Sequence, residues 1–382
     1  MDQLNLSNSK VIFPEKGVIE EKNVKIEDGI VVELSDDSDF NGKNSTIDLD
    51  GYYLAPGFID LQVNGGGGVD FLTSKVDCLE QASEFLLKHG TTSFLGTIIT
   101  NPLESMSSAV KKLLEANIKN LLGIHLEGPF LSSVERGTHN SDHLMPPDFE
   151  TFKTITEGNE GDIRLVTFAP ELEGSKDLLE WIKSIRARPS IGHSKANYGK
   201  VREFLDLGVS TFTHLFNGMK KFHHREPGPV GVALNSDAFV GIIADGQHLH
   251  PAAVNLVEKV KDNKRIYLVT DSIAAAGMDK GSYVLGDQKI IVNDRLARLE
   301  NGTIAGSTLT LERAVGNYME FTGASLVNAV TAVTLNPAKL LGMEDEIGTM
   351  TVGSKADLVA FDRDLEIRLT IIDGEVVYDG QS

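Results

Sequence analysis

The feature that most constrains this chain is an alternation. Eight short apolar runs, at residues 58–63, 92–99, 121–126, 163–168, 189–192, 211–215, 240–244 and 266–269, are separated mostly by amphipathic stretches. Runs of this length bounded by turn residues read as buried strands, and helical crossovers between them make the strands parallel. Helical spacing is clearest over Lys75–His89, where Leu79, Ala82, Leu86 and His89 fall on one face and Gly90 stands as a C-cap. It recurs over Glu104–Ile118, Ser175–Ile185, Tyr198–Leu207 and Pro251–Val260. Eight strand-helix units predict a (β/α)8 barrel, whose site lies at the C-terminal ends of the strands. An open doubly wound sheet competes. Against it, Asn64–Gly68 (NGGGG) lacks the spacing of a nucleotide phosphate loop and reads better as a tight turn or close backbone approach.

The two ends of the chain have another character. Short strand patterns cover residues 8–53, with a turn at Glu27-Asp28-Gly29, and residues 348–380, with a hairpin at Asp373-Gly374. Neither end is large enough to fold alone, so residues 1–53 and 346–382 are expected to form one small β-sandwich beside a barrel of residues 54–345. Between the eighth strand and the C-terminal segment the pattern gives a hairpin-like insertion, Tyr283–Ile304, and helices at Leu309–Phe321 and Ser325–Leu335.

Several of the apolar runs end in chemistry. Glu127, His193 and His214 would supply one carboxylate and two imidazoles, a three-ligand set that leaves a position open for water on Zn2+ or Fe2+. Asp271 closes the eighth strand, where it serves as a general base for metal-activated water or, more simply, as a turn aspartate. A two-metal site would place a His-x-His pair on the first strand. Gln62 and Asn64 stand there instead, and amides are poor ligands for these ions, so the pattern argues for a single metal. Histidines 139, 223, 224 and 248 sit in loops, where a solvated role is the ordinary one. With a formal net charge of −19 the chain is a poor partner for nucleic acid or anionic membrane, and any anionic substrate must be met by local cations such as Arg225. The single Cys78 excludes an internal disulfide, and no leader or membrane-length apolar run is present, which makes a cytoplasmic location the expectation.

At these residues the chain resembles the N-acetylglucosamine-6-phosphate deacetylases of the amidohydrolase superfamily. The matching stretches include Pro56–Gly68 (PGFIDLQVNGGGG), His125–Pro129 (HLEGP), Gly137–Asn140 (GTHN), Ile191–Ser194 (IGHS), Thr213–Met219 (THLFNGM), His223–Gly228 (HHREPG), Ile243–His248 (IADGQH), Val269–Ser272 (VTDS) and Gly306–Thr310 (GSTLT). The resemblance implies a barrel with a flanking β-sandwich, one divalent metal per subunit on Glu127, His193 and His214, and Asp271 as general base and acid. It implies that His139 stabilises the oxyanion and that Asn217, Gly218, Arg225 and His248 bind the sugar phosphate. A homodimer is implied too, with Arg225 reaching across it. Gly218 stands where the family often has alanine, a change that a backbone contact to phosphate tolerates. Two alternatives remain at this point: a deacetylase for another amino-sugar phosphate such as N-acetylgalactosamine 6-phosphate, and a non-catalytic, degenerate barrel.

Overall fold

A computed structural model describes residues 3–36, 45–261, 263–293 and 296–381; Asp294-Arg295 of the expected insertion and parts of the N-terminal β segment lie outside the described residues. Eight parallel strands form one sheet in sequential order: β1 (Phe58–Val63), β2 (Thr91–Ile99), β3 (Leu121–Glu127), β4 (Ile163–Phe168), β5 (Arg188–Ile191), β6 (Thr211–Phe212), β7 (Phe239–Ile242) and β8 (Ile266–Leu268). The ring closes where β8 returns to β1: the Asp271 N–H donates to the Gln62 carbonyl at 2.9 Å and the Asn64 N–H to the Ser272 carbonyl at 2.8 Å. The doubly wound alternative is thereby excluded. Strands such as β2 are buried along their whole length on both faces because helices cover the outside and the barrel core fills the inside.

The helices follow the sequence pattern with small shifts of boundary. Helix α1 (Leu79–Lys88) buries Leu79, Ala82 and Leu86 against the sheet, and Gly90 lies just beyond its end in the left-handed region (φ +76). The NGGGG run makes a tight two-strand turn in which Gly65-Gly66 pairs with Val69-Asp70; a Cβ on Gly66 would lie 2.5 Å from the Phe85 ring of α1. Two expectations change. β6 ends at Phe212 rather than Leu215, because His214 (φ +29) and Phe216 (φ +79) leave extended geometry. The expected helix Ser325–Leu335 splits into Leu326–Thr331 and Leu335–Leu341; Pro337 sits in the first turn of the latter, where no intrahelical N–H is required of it.

The terminal segments build one separate eight-stranded sheet around its own core, which includes Leu6, Phe13, Val24, Leu54, Leu358 and Ile371. Its hairpins turn at Asp28-Gly29 (φ +49, +76) and Asp373-Gly374 (φ +49, +78), the paired positive φ values that a two-residue turn demands. After β8 an antiparallel four-stranded insertion (281–285, 288–293, 296–299 and 304–307) folds over the strand ends. No helix among the described residues is long and apolar enough to cross a membrane.

Inside the barrel, one turn of the pleat below Glu127, a chain of buried polar groups crosses from strand to strand. Ser190 Oγ, Thr213 Oγ1, Thr167 Oγ1 and His125 Nε2 are joined at 2.5, 2.6 and 2.8 Å, and His125 Nδ1 donates to the Leu61 carbonyl at 3.1 Å. Because Nδ1 carries the proton, Nε2 accepts, so the hydroxyls all donate toward His125; burial pushes its pKa down to about 4, which keeps the ring neutral. The chain fixes the heights of five strands under the site. Thr167→Val keeps the shape but leaves a buried acceptor and a buried donor unpaired, at a cost of about 1–3 kcal/mol. Chemical unfolding is expected to show a lowered midpoint; an unchanged one would contradict this account of the belt.

Candidate active site

The strand ends bring four of the expected residues together. Glu127 closes β3, while His193 and His214 follow β5 and β6 and Asp271 follows β8. Three of these four adopt left-handed backbone, His193 at φ +46, His214 at φ +29 and Asp271 at φ +49. Such conformations cost of order 1–3 kcal/mol each outside glycine, and here they turn each side chain from the strand into the barrel mouth.

Glu127 Oε1 lies 2.9 Å from His214 Nε2 and 3.2 Å from His193 Nε2, and the two nitrogens are 3.1 Å apart. His193 Nδ1 donates to the Glu135 carbonyl at 2.9 Å, which fixes the tautomer and leaves Nε2 with a lone pair aimed at the other two groups. Three electron-rich atoms converging in a buried site call for a cation. Burial alone would raise the Glu127 carboxyl, yet the adjoining imidazoles of His193 and His214 hold it well below the carboxylate range. Burial likewise opposes a charge on His214, and the Glu127 carboxylate overcomes it and raises the imidazole. The shared proton stands where a dication fits. Tetrahedral coordination with bonds of about 2.0–2.1 Å needs donor separations of about 3.3 Å, close to those observed.

His139 offers a nitrogen within 4.8 Å of the donor atoms of Glu127 and His193, so Glu127, His139 and His193 also form a possible ligand group. We favour His214 as the third donor because its nitrogen completes the triangle of 2.9, 3.1 and 3.2 Å. His139 is fully buried, its Nδ1 has no partner, and burial together with the neighbouring His193 pushes its pKa down to about 3. It is a neutral ring at the cavity wall.

Asp271 Oδ1 accepts from Asn64 Nδ2 at 2.7 Å and from Gln62 Nε2 at 3.2 Å. The same Gln62 nitrogen lies 3.2 Å from Glu127 Oε1. The first-strand amides thus act as donors that hold both carboxylates, a role that reading them only as missing ligands overlooks. Burial, then the charge of Glu127, pushes the Asp271 carboxyl up to about 6.

The residues surround a cavity of about 250 Å³ that Asn217, Gly218 and His248 also line. Gly218 (φ +57) does more than approach a ligand: a Cβ there would lie 2.5 Å from His193 Nδ1, so the change from alanine is less mild in this chain than a backbone contact alone implies. His248 Nδ1 donates to Asp245 Oδ2 at 2.7 Å, and Asp245 Oδ1 accepts from the backbone N–H groups of Gln247 and His248, both at 2.8 Å. Asp245 was not singled out from sequence, although an aspartate whose side chain accepts from the next turn's backbone is a recognisable signal. Leu285, Thr303 and Ile304 of the insertion complete the wall, also unforeseen. Arg225 does not join them. It is exposed with Phe222, His223 and His224, and its guanidinium meets His224 Nε2 at 2.9 Å outside the cavity.

The profile of the amidohydrolase family matches residues 53–377. The N-acetylglucosamine-6-phosphate deacetylase of Bos taurus is 38% identical over 351 residues, covering 87% of this chain and 85% of that protein. The N-acetylgalactosamine-6-phosphate deacetylase of Escherichia coli O157:H7 is 31% identical over 371 residues, covering 96% and 97%. Among solved structures, N-acetylglucosamine-6-phosphate deacetylase from Pasteurella multocida superposes with a TM-score of 0.93 at 33% identity, covering 99% of this chain and 100% of that one. With the barrel, the converging donors at its mouth and these similarities all in agreement, the chain belongs to the amidohydrolase family.

Proposed function

We propose that this chain hydrolyses the N-acetyl group of N-acetyl-D-glucosamine 6-phosphate, giving D-glucosamine 6-phosphate and acetate. The observation that carries the reading is the convergence of Glu127, His193 and His214 in one cavity with Asp271, bridged to it by Gln62. A divalent cation on the three donors supplies an acidified water and a Lewis acid for the acyl carbonyl. Zn2+ or Fe2+ suits this donor set, and a single ion per subunit accords with amides at Gln62 and Asn64. Asp271 takes the proton from the attacking water and delivers it to the departing amine. His139, neutral and without a partner at Nδ1, donates to the oxyanion.

Asn217, Gly218 and His248, the last oriented by Asp245, hold the sugar phosphate in this reading. In this reading the protein is a homodimer, and Arg225, exposed outside the cavity, serves the neighbouring subunit. The division into a sandwich of residues 1–53 and 346–382 and a barrel of 54–345 belongs to the same reading; the terminal sheet has a core of its own, but one of its strands runs on to Pro56, and Ile12, Val359 and Phe361 join the barrel core. The convergent donors weigh against a non-catalytic scaffold. The long match to the galactosamine relative keeps the C4 epimer as a second reading.

Kinetics on metal-loaded protein distinguish these. We expect kcat/KM for N-acetylglucosamine 6-phosphate to exceed that for N-acetylgalactosamine 6-phosphate and for unphosphorylated N-acetylglucosamine. Equal rates with and without phosphate would remove the phosphate from the reading, and a preference for the galacto sugar would replace the substrate.

A further inference from the structure

We infer that Ile99 and Leu285 form the slot that receives the methyl of the acyl group and limits it to two carbons. The inference rests on the deacetylase reading and names which end of the cavity takes which end of the substrate. In the ring of eight strands, Asn217 and Gly218 follow β6 and His248 follows β7, and the deacetylase reading puts the sugar on that side of the cavity. The strand halfway round the ring from β6 is β2, and its last residue is Ile99. Ile99 is the register partner of Glu127 on the adjacent parallel strand, which sets it at the same height and on the same face as that donor. An acyl group whose carbon is attacked beside Glu127 therefore turns its methyl toward β2.

The wall there is apolar and held in place. Ile99 and Leu285 line the cavity with 7% and 3% of their surfaces exposed, in contrast to the polar side chains that make most of the remaining lining. A Cβ on Gly286 would lie 3.3 Å from Ile99 Cδ1 and 3.2 Å from Leu72 Cδ2, so the turn after Leu285 rests on Ile99. That turn is pinned from three sides. The Gly286 N–H donates to Asp70 Oδ2 at 3.3 Å, Asn140 Nδ2 to Asp287 Oδ2 at 2.9 Å, and Gln288 Nε2 to the Thr138 carbonyl. A slot with fixed depth rejects a longer chain by overpacking rather than by repulsion of charge.

The test compares N-formyl, N-acetyl and N-propanoyl glucosamine 6-phosphate; in each, water oxygen bonds to the acyl carbon, the C–N bond breaks and the amine takes the proton. Wild-type enzyme is expected to favour acetyl over propanoyl by about tenfold or more, the usual worth of one methylene in an apolar pocket. Ile99→Ala or Leu285→Ala should raise the propanoyl-to-acetyl ratio of kcat/KM by a similar factor. Ile99→Phe should lower acetyl turnover while formyl turnover persists, and this holds the inference to account if an alanine variant is unstable. Unchanged ratios in folded, metal-loaded variants would overturn the slot while leaving the deacetylase reading intact. A wild-type enzyme inert on all three sugars would instead remove that reading, and the slot with it.

Discussion

Asp271→Asn is expected to lower turnover by roughly a hundred- to ten-thousandfold, the usual worth of a positioned acid-base group, while metal content stays at the wild-type level. The structure makes this substitution clean. Asn64 Nδ2 and Gln62 Nε2 both donate to Asp271 Oδ1, and an asparagine oxygen accepts the same bonds. What disappears is the capacity to take a proton. In the wild type the carboxyl must be ionised to act, and burial with the charge of Glu127 pushes its pKa up to about 6. Activity should therefore fall as pH drops through that range. A dication on the neighbouring donors stabilises the carboxylate, so the acidic limb of the loaded enzyme lies at or below about pH 6. Near-normal activity in the variant would show that Asp271 is only the turn aspartate that its place before Ser272 also fits.

The complementary expectation concerns the metal. His214→Ala or His193→Ala should lose tightly bound metal and activity together, by more than the roughly 10–100-fold in affinity that loss of a supporting group costs. A chelator should abolish wild-type activity, and added Zn2+ or Fe2+ should restore it. Elemental analysis of the variants checks the assignment directly. His139→Ala separates the two possible donor sets, because in the reading favoured here it retains the metal and loses rate. Metal loss in His139→Ala with retention in His214→Ala would make Glu127, His139 and His193 the ligands instead. Together these variants dissociate two quantities, with Asp271→Asn sparing the ion and the histidine variants losing it.

Much of the fold was legible because its signals are local. Strand length, burial on both faces and helical spacing follow from short windows such as Thr91–Ile99 and Leu79–Lys88, and Asp-Gly pairs announce tight turns by backbone conformation alone. The residues that close the barrel mouth were legible for a similar reason, since a strand end in a parallel barrel is where a side chain can face the site. Less visible was anything that depends on what lies opposite. Gln62 and Asn64 read as poor ligands, and only the closing of β8 onto β1 made them donors to Asp271 and Glu127. Arg225 read as a local cation for the substrate, and its loop leaves it exposed outside the cavity.

By itself, then, the sequence determined eight strand-helix units, favoured a barrel over an open sheet, and supplied the residue types able to hold a metal and move a proton, because periodicity and side-chain chemistry are properties of short stretches. Tertiary structure alone decided that Glu127, His193 and His214 meet within 3.2 Å, since no spacing along the chain encodes a distance between separate strands. It also decided that three of the four strand-end residues turn into the mouth on left-handed backbone. Such a conformation is locally unfavourable for histidine and aspartate and survives only where the surrounding packing enforces it.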